Sequence, residues 1–132
     1  MTYIFTFLVQ MLIWAYYAII PPAMIEPVDQ SCPAYEATMA IHGLDVERFS
    51  YIMWRESRCD MTAINPDDPN GGSYGLMQIN AIHLADIETR PHLWEGVDRC
   101  RVKTVDDLLI AWRNICVASH LVNHAGYDPW RV

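Results

Sequence analysis

The chain has 132 residues, 52% of them apolar, with 9 Lys plus Arg against 16 Asp plus Glu and a net charge of −7. Every charge lies from Glu26 onward, so the folded part is acidic; this argues against a nucleic-acid partner, whose phosphates need a basic surface, and against long-range steering toward any anionic polymer. Setting aside an apolar N-terminal stretch leaves roughly 100 residues, enough for one compact domain and no second.

Tyr3 to Ile20 carry no charge, and about 18 apolar-dominated residues just suffice to cross a bilayer. The stretch is apolar all round and lacks the polar face of a surface helix. Residues 1–25 therefore read as a signal peptide or membrane anchor that places the rest outside the cytoplasm. The first basic residue is Arg48 and no A-x-A cleavage site is present, so both alternatives stay open. Residues 26–31 form a polar linker, and 32–132 the domain.

Ser31 followed by Pro33 marks a helix start, with the helix running to His42 and broken by Gly43. Asp45 is a good N-cap for a second helix, Val46 to Ser57. If the two are antiparallel, Cys32 lies near Cys59, leaving Cys100 to pair with Cys116, although four cysteines allow three connectivities. An even cysteine count in an exported chain suits disulfides. Zinc is disfavoured: no C-x-x-C pair exists, and His120 and His124, at i and i+4, lack the H-E-x-x-H glutamate.

Asn65 to Gly72, NPDDPNGG, reads as a solvated turn. Asp67, Asp68 and Asn70 do not have the spacing of a calcium loop. Ser73 to Asn80 reads as a short strand or extended run, and a short helix is expected at His83 to Glu88. Thr104, with Asp107 three residues on, starts a last long helix whose inward face carries Val105, Leu108, Trp112, Ile115, Ser119 and Val122; Gly126 ends it.

On the second helix Val46, Phe49, Ile52 and Met53 define the inward stripe, and Glu56 falls three and four residues beyond the last two. A carboxylate at the end of a buried stripe is partly desolvated, which raises its pKa and suits it to donate a proton near neutral pH. Arg55 and Arg58 beside it offer the plainer fate of an ion pair.

The segment MWRESRC at Met53 to Cys59, followed by SYGLMQIN at Ser73 to Asn80, resembles the lytic transglycosylase and lysozyme-like superfamily. A helical Asn114 in WRNIC and an ending GYDPW extend the likeness from Cys32 to Trp130. The resemblance implies a mainly helical α+β, lysozyme-like fold with a short strand or β-hairpin region beside the active-site cleft. It implies an enzyme that cleaves the β-1,4 bond between N-acetylmuramic acid and N-acetylglucosamine in peptidoglycan, working as a monomer on glycan strands with no cofactor. Glu56 matches the catalytic acid/base and Ser57 its supporting neighbour. Gly75, Leu76, Met77 and Gln78 match the motif lining the sugar cleft, with Ser73, Tyr74, Asn80, Asn114 and Tyr127 as further substrate-side candidates. In the family a tyrosine near the chain end orients the catalytic carboxylate; Asn123 fills that position here, leaving Tyr74 or Tyr127 to supply a hydroxyl.

Most glycosidases use two carboxylates. Where c-type lysozymes have Asp before Tyr-Gly, this chain has Ser73. The resemblance then implies a single-Glu route giving 1,6-anhydromuramyl ends, with a hydrolytic lysozyme and a non-catalytic wall-binding protein of an envelope or phage particle as rivals.

Overall fold

The computed structural model describes residues 29–93 and 95–130. The anchor-or-signal reading of residues 1–25 and the start of the linker lie outside them. A 3-10 turn, Pro33–Tyr35, leads into α1, Glu36–Ile41, and α2 spans Val46–Ser57. The Asp45 carboxylate caps α2 by accepting from the Arg48 N–H at 3.2 Å. Ser50, buried on α2, accepts from the Cys32 N–H at 2.7 Å and donates to Glu36 at 3.2 Å, fastening α1 against α2. The expected hairpin is thus present, with disulfides Cys32–Cys59 and Cys100–Cys116 at Cα separations of 5.6 and 5.5 Å.

Three two-residue strands follow: β1 Ile64–Asn65, β2 Ser73–Tyr74 and β3 Ile79–Asn80. They form an antiparallel sheet in the order β1-β2-β3, pairing Ile64 with Tyr74, Asn65 with Ser73, Ser73 with Asn80 and Tyr74 with Ile79. Ser73 to Asn80 is therefore a tight hairpin of two strands. Then come α3, Ile82–Thr89, three 3-10 turns at Pro91–Leu93, Val97–Cys100 and Val105–Leu109, α4 at Ala111–Ala125, and a closing 3-10 turn, Asp128–Trp130. This is the α+β architecture expected, a helical body with a small sheet on one side. No helix among the described residues is long and apolar enough to cross a membrane.

The last helix departs from expectation. Thr104 and Asp107 do form a capping box, but it closes a 3-10 turn, and Ile110 is extended (φ −98°, ψ 115°) before α4 begins. At this break the Leu108 carbonyl accepts from the Asn114 side chain at 2.8 Å. The single inward face is corrected with it: Leu108, Ile115 and Ser119 are buried, Val105 and Val122 only partly, and Trp112 is 39% exposed. Asn114 through Ser119 are instead buried without interruption, so α4 runs through the middle of the body. Phe49, Ile52 and Met53 of α2 and Leu76, Met77 and Ile79 of the hairpin close the core with it. Each such side chain contributes about 1.5–3 kcal/mol on leaving water.

Candidate active site

Glu56 is the penultimate residue of α2. The helix ends there because Arg58 and Cys59 take positive φ, 56° and 64°, a left-handed turn uncommon without glycine. The Cys32–Cys59 disulfide and the Arg58 N–H on the Trp54 carbonyl at 3.0 Å hold it. Neither neighbouring arginine pairs with Glu56. Arg58 lies over the Trp54 ring at 3.7 Å and Arg55 over the Tyr51 ring at 5.9 Å. Glu56 is half-buried and makes no hydrogen bond or ion pair among the described residues. Burial pushes its carboxyl above the usual range; the Asp68 charge adds to the rise, and the Arg55 charge opposes it. Ser57 turns back to its own helix, donating to the Met53 carbonyl at 3.1 Å.

The hairpin turn is held against α4. Gly75 has φ +74°, and a Cβ there would overlap the Leu108 carbonyl and the Asn114 amide. The close approach that requires glycine is therefore to α4. Asn114, fully buried, accepts from the Met77 N–H at 2.9 Å and donates to the Tyr74 and Leu108 carbonyls at 2.9 and 2.8 Å. Trp130, also buried, donates its indole N–H to the Met77 carbonyl at 2.9 Å. Both backbone groups of Met77 are thus used, and its side chain is core. On the other side the Ala63 carbonyl accepts from the Gly75 N–H at 2.8 Å and from the Gln78 side chain at 3.2 Å. Gln78 also donates to the Gly75 carbonyl at 2.9 Å, at φ +46°, so its NH2 group is fixed and its carbonyl oxygen is left to accept.

Asn80 donates to the Pro69 carbonyl at 2.7 Å and accepts from the Ile82 N–H at 3.0 Å, joining the 65–72 turn to the start of α3. That turn is not wholly solvated. Asp67 is exposed, but Asp68 is partly buried and accepts a hydrogen bond from the hydroxyl of buried Ser73. In the sequence Asp68 stands only as a residue of the turn; its bond with Ser73 is set by the fold. Ser73, Gln78, Asn80 and Asp68 share a cavity of about 280 Å³ with His83 and Trp130. Neither candidate tyrosine bonds Glu56: the Tyr74 hydroxyl donates to the Gly71 carbonyl at 2.9 Å, and Tyr127 packs against Phe49 with the two rings tilted, beneath the Arg48 guanidinium at 3.4 Å. Asn123 is exposed.

Compared with known families, residues 34–126 match the family model described as Transglycosylase SLT domain, well over half of the chain. The chain belongs to the SLT transglycosylase family. The match includes Glu56, the hairpin turn and Asn114, and stops just short of Tyr127 and Trp130. No curated protein and no solved structure matches the chain. In this SLT domain Cys100, Cys116 and His120 are the described group with metal-ligand proximity. The two sulfurs are bonded to each other and provide no thiolate for a metal.

As an SLT domain the chain is a glycan-cleaving enzyme of the peptidoglycan-acting, transglycosylase or lysozyme-like kind. Its parts divide in two. Asn114, Trp130, Gly75 and Ala63 fix the shape of the turn, whereas Glu56, Asp68, Gln78 and Asn80 are polar and only partly buried.

Proposed function

We propose that Glu56 is the acid/base of a lytic transglycosylase that cleaves the β-1,4 bond between N-acetylmuramic acid and N-acetylglucosamine. The observation carrying this is the half-buried Glu56 carboxyl at the sharp end of α2, without a hydrogen bond or ion pair among the described residues and with its proton affinity raised chiefly by burial. A carboxyl without an ion pair near neutral pH is suited to give up its proton and to take one back.

Glu56 donates its proton to the glycosidic oxygen; the bond from that oxygen to C1 of muramic acid breaks, and its electron pair stays with the leaving glucosamine. The N-acetyl carbonyl of the same sugar assists at C1 and is displaced by the 6-hydroxyl oxygen, whose proton passes to the Glu56 carboxylate. The product is a 1,6-anhydromuramyl end, and Glu56 is again protonated. Gln78 and Asn80 bind N-acetyl or hydroxyl groups in this reading, and Ser73 holds Asp68. Tyr127 and Ser57 act through packing and helix-end geometry. The protein works outside the cytoplasm, exported or anchored by residues 1–25, on glycan strands as a monomer.

Mass spectrometry of soluble fragments from purified cell wall tests the chemistry. Anhydromuramyl ends support the intramolecular route, while reducing muramic acid ends would establish hydrolysis in its place. Binding without any cleavage would favour a wall-binding protein.

A further inference from the structure

We propose that the outer face of α2, built from Tyr51, Trp54, Arg55 and Arg58, docks onto the anionic lipid headgroups of the membrane that carries the N-terminal segment, turning Glu56 away from the lipid. The inference rests on the reading of residues 1–25 as a membrane anchor and not on the role of Glu56.

The face is assembled from rings and guanidinium groups. Tyr51 and Trp54 lie nearly parallel, with ring centroids 6.5 Å apart and an interplanar angle of 17°. The Arg58 guanidinium covers the Trp54 ring at 3.7 Å and donates to the Trp54 carbonyl at 3.0 Å, and the Arg55 guanidinium stands 5.9 Å from the centre of the Tyr51 ring. Tyr51 and both arginines are exposed, and Trp54 is only partly buried. With 3.6 residues per turn, Tyr51 and Trp54 stand about 140° and 160° round the helix from Glu56, so this is not the side that presents the acid.

What covers the face follows from where the chain enters the domain. Tyr3 to Ile20 carry no charge and just suffice to cross a bilayer, and the stretch from Pro21 to Ser31 reaches at most about 40 Å when fully extended. The next residue, Cys32, is bonded to Cys59 with the Cα atoms 5.6 Å apart, and Cys59 follows Arg58 directly. Tether and arginines thus share one end of α2. A short tether keeps the face at high local concentration over the lipid, so contacts that are weak singly suffice.

Charge selects this face over the others. The chain carries −7 overall and is repelled by an anionic surface, but screening over roughly 8 Å leaves local charges to decide contact. Of the acids on and beside α2, Asp45 and Glu47 lie about 12 Å or more back along the helix from Arg55. Glu56 is on the other side, and Asp60 is turned to Thr62, whose N–H and hydroxyl donate to it at 2.8 and 2.7 Å. Exposed arginine donors suit lipid phosphates, and Trp and Tyr suit the headgroup level, where one part of the ring meets hydrocarbon and the other water.

The test is tryptophan quenching by spin-labelled lipid in the full chain reconstituted into vesicles of phosphatidylglycerol and phosphatidylcholine, with the label either at the headgroup or at the middle of the acyl chain. Mid-chain quenching that is lost in Trp14→Phe reports the anchor. Headgroup quenching, read in the Trp14→Phe background, reports the face, and circular dichroism checks the fold of each variant. Headgroup quenching is expected to fall to background when Trp54→Phe is added and to be unchanged by Trp112→Phe, at an exposed site on α4. Arg55→Gln with Arg58→Gln, which leaves Trp54 in place, should remove roughly half of it or more, as should vesicles of phosphatidylcholine alone. Headgroup quenching that survives Trp54→Phe, or that is equal with and without phosphatidylglycerol, would overturn the proposal and leave the anchor standing. If the mid-chain label does not quench Trp14, the anchor reading has failed and the docking with it. Neither outcome bears on Glu56 as the acid, which fragment release tests separately.

Discussion

Asn114 reaches from the first turn of α4 into the hairpin turn, and Gly75 is the residue that lets it in. The amide of Asn114 lies against the Gly75 backbone, where any Cβ would overlap it and the Leu108 carbonyl. The left-handed φ of +74° at Gly75 adds strain for every other residue.

Gly75→Ala is accordingly expected to destabilise the domain by more than about 2 kcal/mol, since one of the overlapped atoms is backbone and has nowhere to move. In a domain of this size that corresponds to a fall in melting temperature of roughly 8 °C or more. A change within a degree or two would mean that the hairpin and α4 separate easily.

Asn114→Ala strands the Met77 N–H and two carbonyls in a fully buried setting. Urea unfolding should show a loss of about 3 kcal/mol or more. Activity in the surviving folded fraction should fall as well, because the turn that presents Gln78 loses its anchor on α4.

The helical hairpin, the strand region and the stripe leading to Glu56 were legible in the sequence because each follows from local periodicity, caps and breakers, whereas the disulfide pairing was one of three connectivities and followed only from taking the two helices as antiparallel. Asp45, Gly43 and Gly126 act on their own neighbours. What was not legible depends on contacts distant in sequence. The break at Ile110 goes with the long side-chain bond from Asn114 to the Leu108 carbonyl, and no propensity at residue 110 announces it. Likewise Asp68 acquires its place through Ser73 and through Asn80 on Pro69, bonds that a reading of NPDDPNGG as turn residues does not contain. Asn114 was legible as a residue of note, but its three bonds make it a brace of the site.

Stability against pH offers a second view of Glu56. Its pKa is raised on folding, chiefly by burial, so the unfolded chain gives up the proton more readily than the folded one. The stability this group contributes is present below its unfolded pKa, about 4.3, and is lost as pH rises through the folded value. Glu56→Gln should therefore match wild type in melting temperature near pH 4 and exceed it near pH 7. A variant less stable at pH 7 would show that the carboxylate has a stabilising partner.

The Cys32–Cys59 bridge ties the start of the domain to the residue three beyond Glu56, closing a separation of 27 residues, and Cys100–Cys116 closes 16. Replacing either pair by serine is expected to cost about 3 kcal/mol. Loss of Cys32–Cys59 should depress kcat beyond what stability explains, because it frees the positive-φ turn that ends α2. Equal kcat for the two pairs of variants at a temperature where both are folded would contradict this.

The role of Glu56 is tested most directly by the rate of soluble fragment release from purified cell wall by wild type and by Glu56→Gln at equal concentrations of folded protein. With the proton donor removed and the shape kept, the rate should drop by roughly 100-fold or more, the scale of general acid–base catalysis. A Glu56→Gln protein that releases fragments at the wild-type rate would contradict the account at its centre.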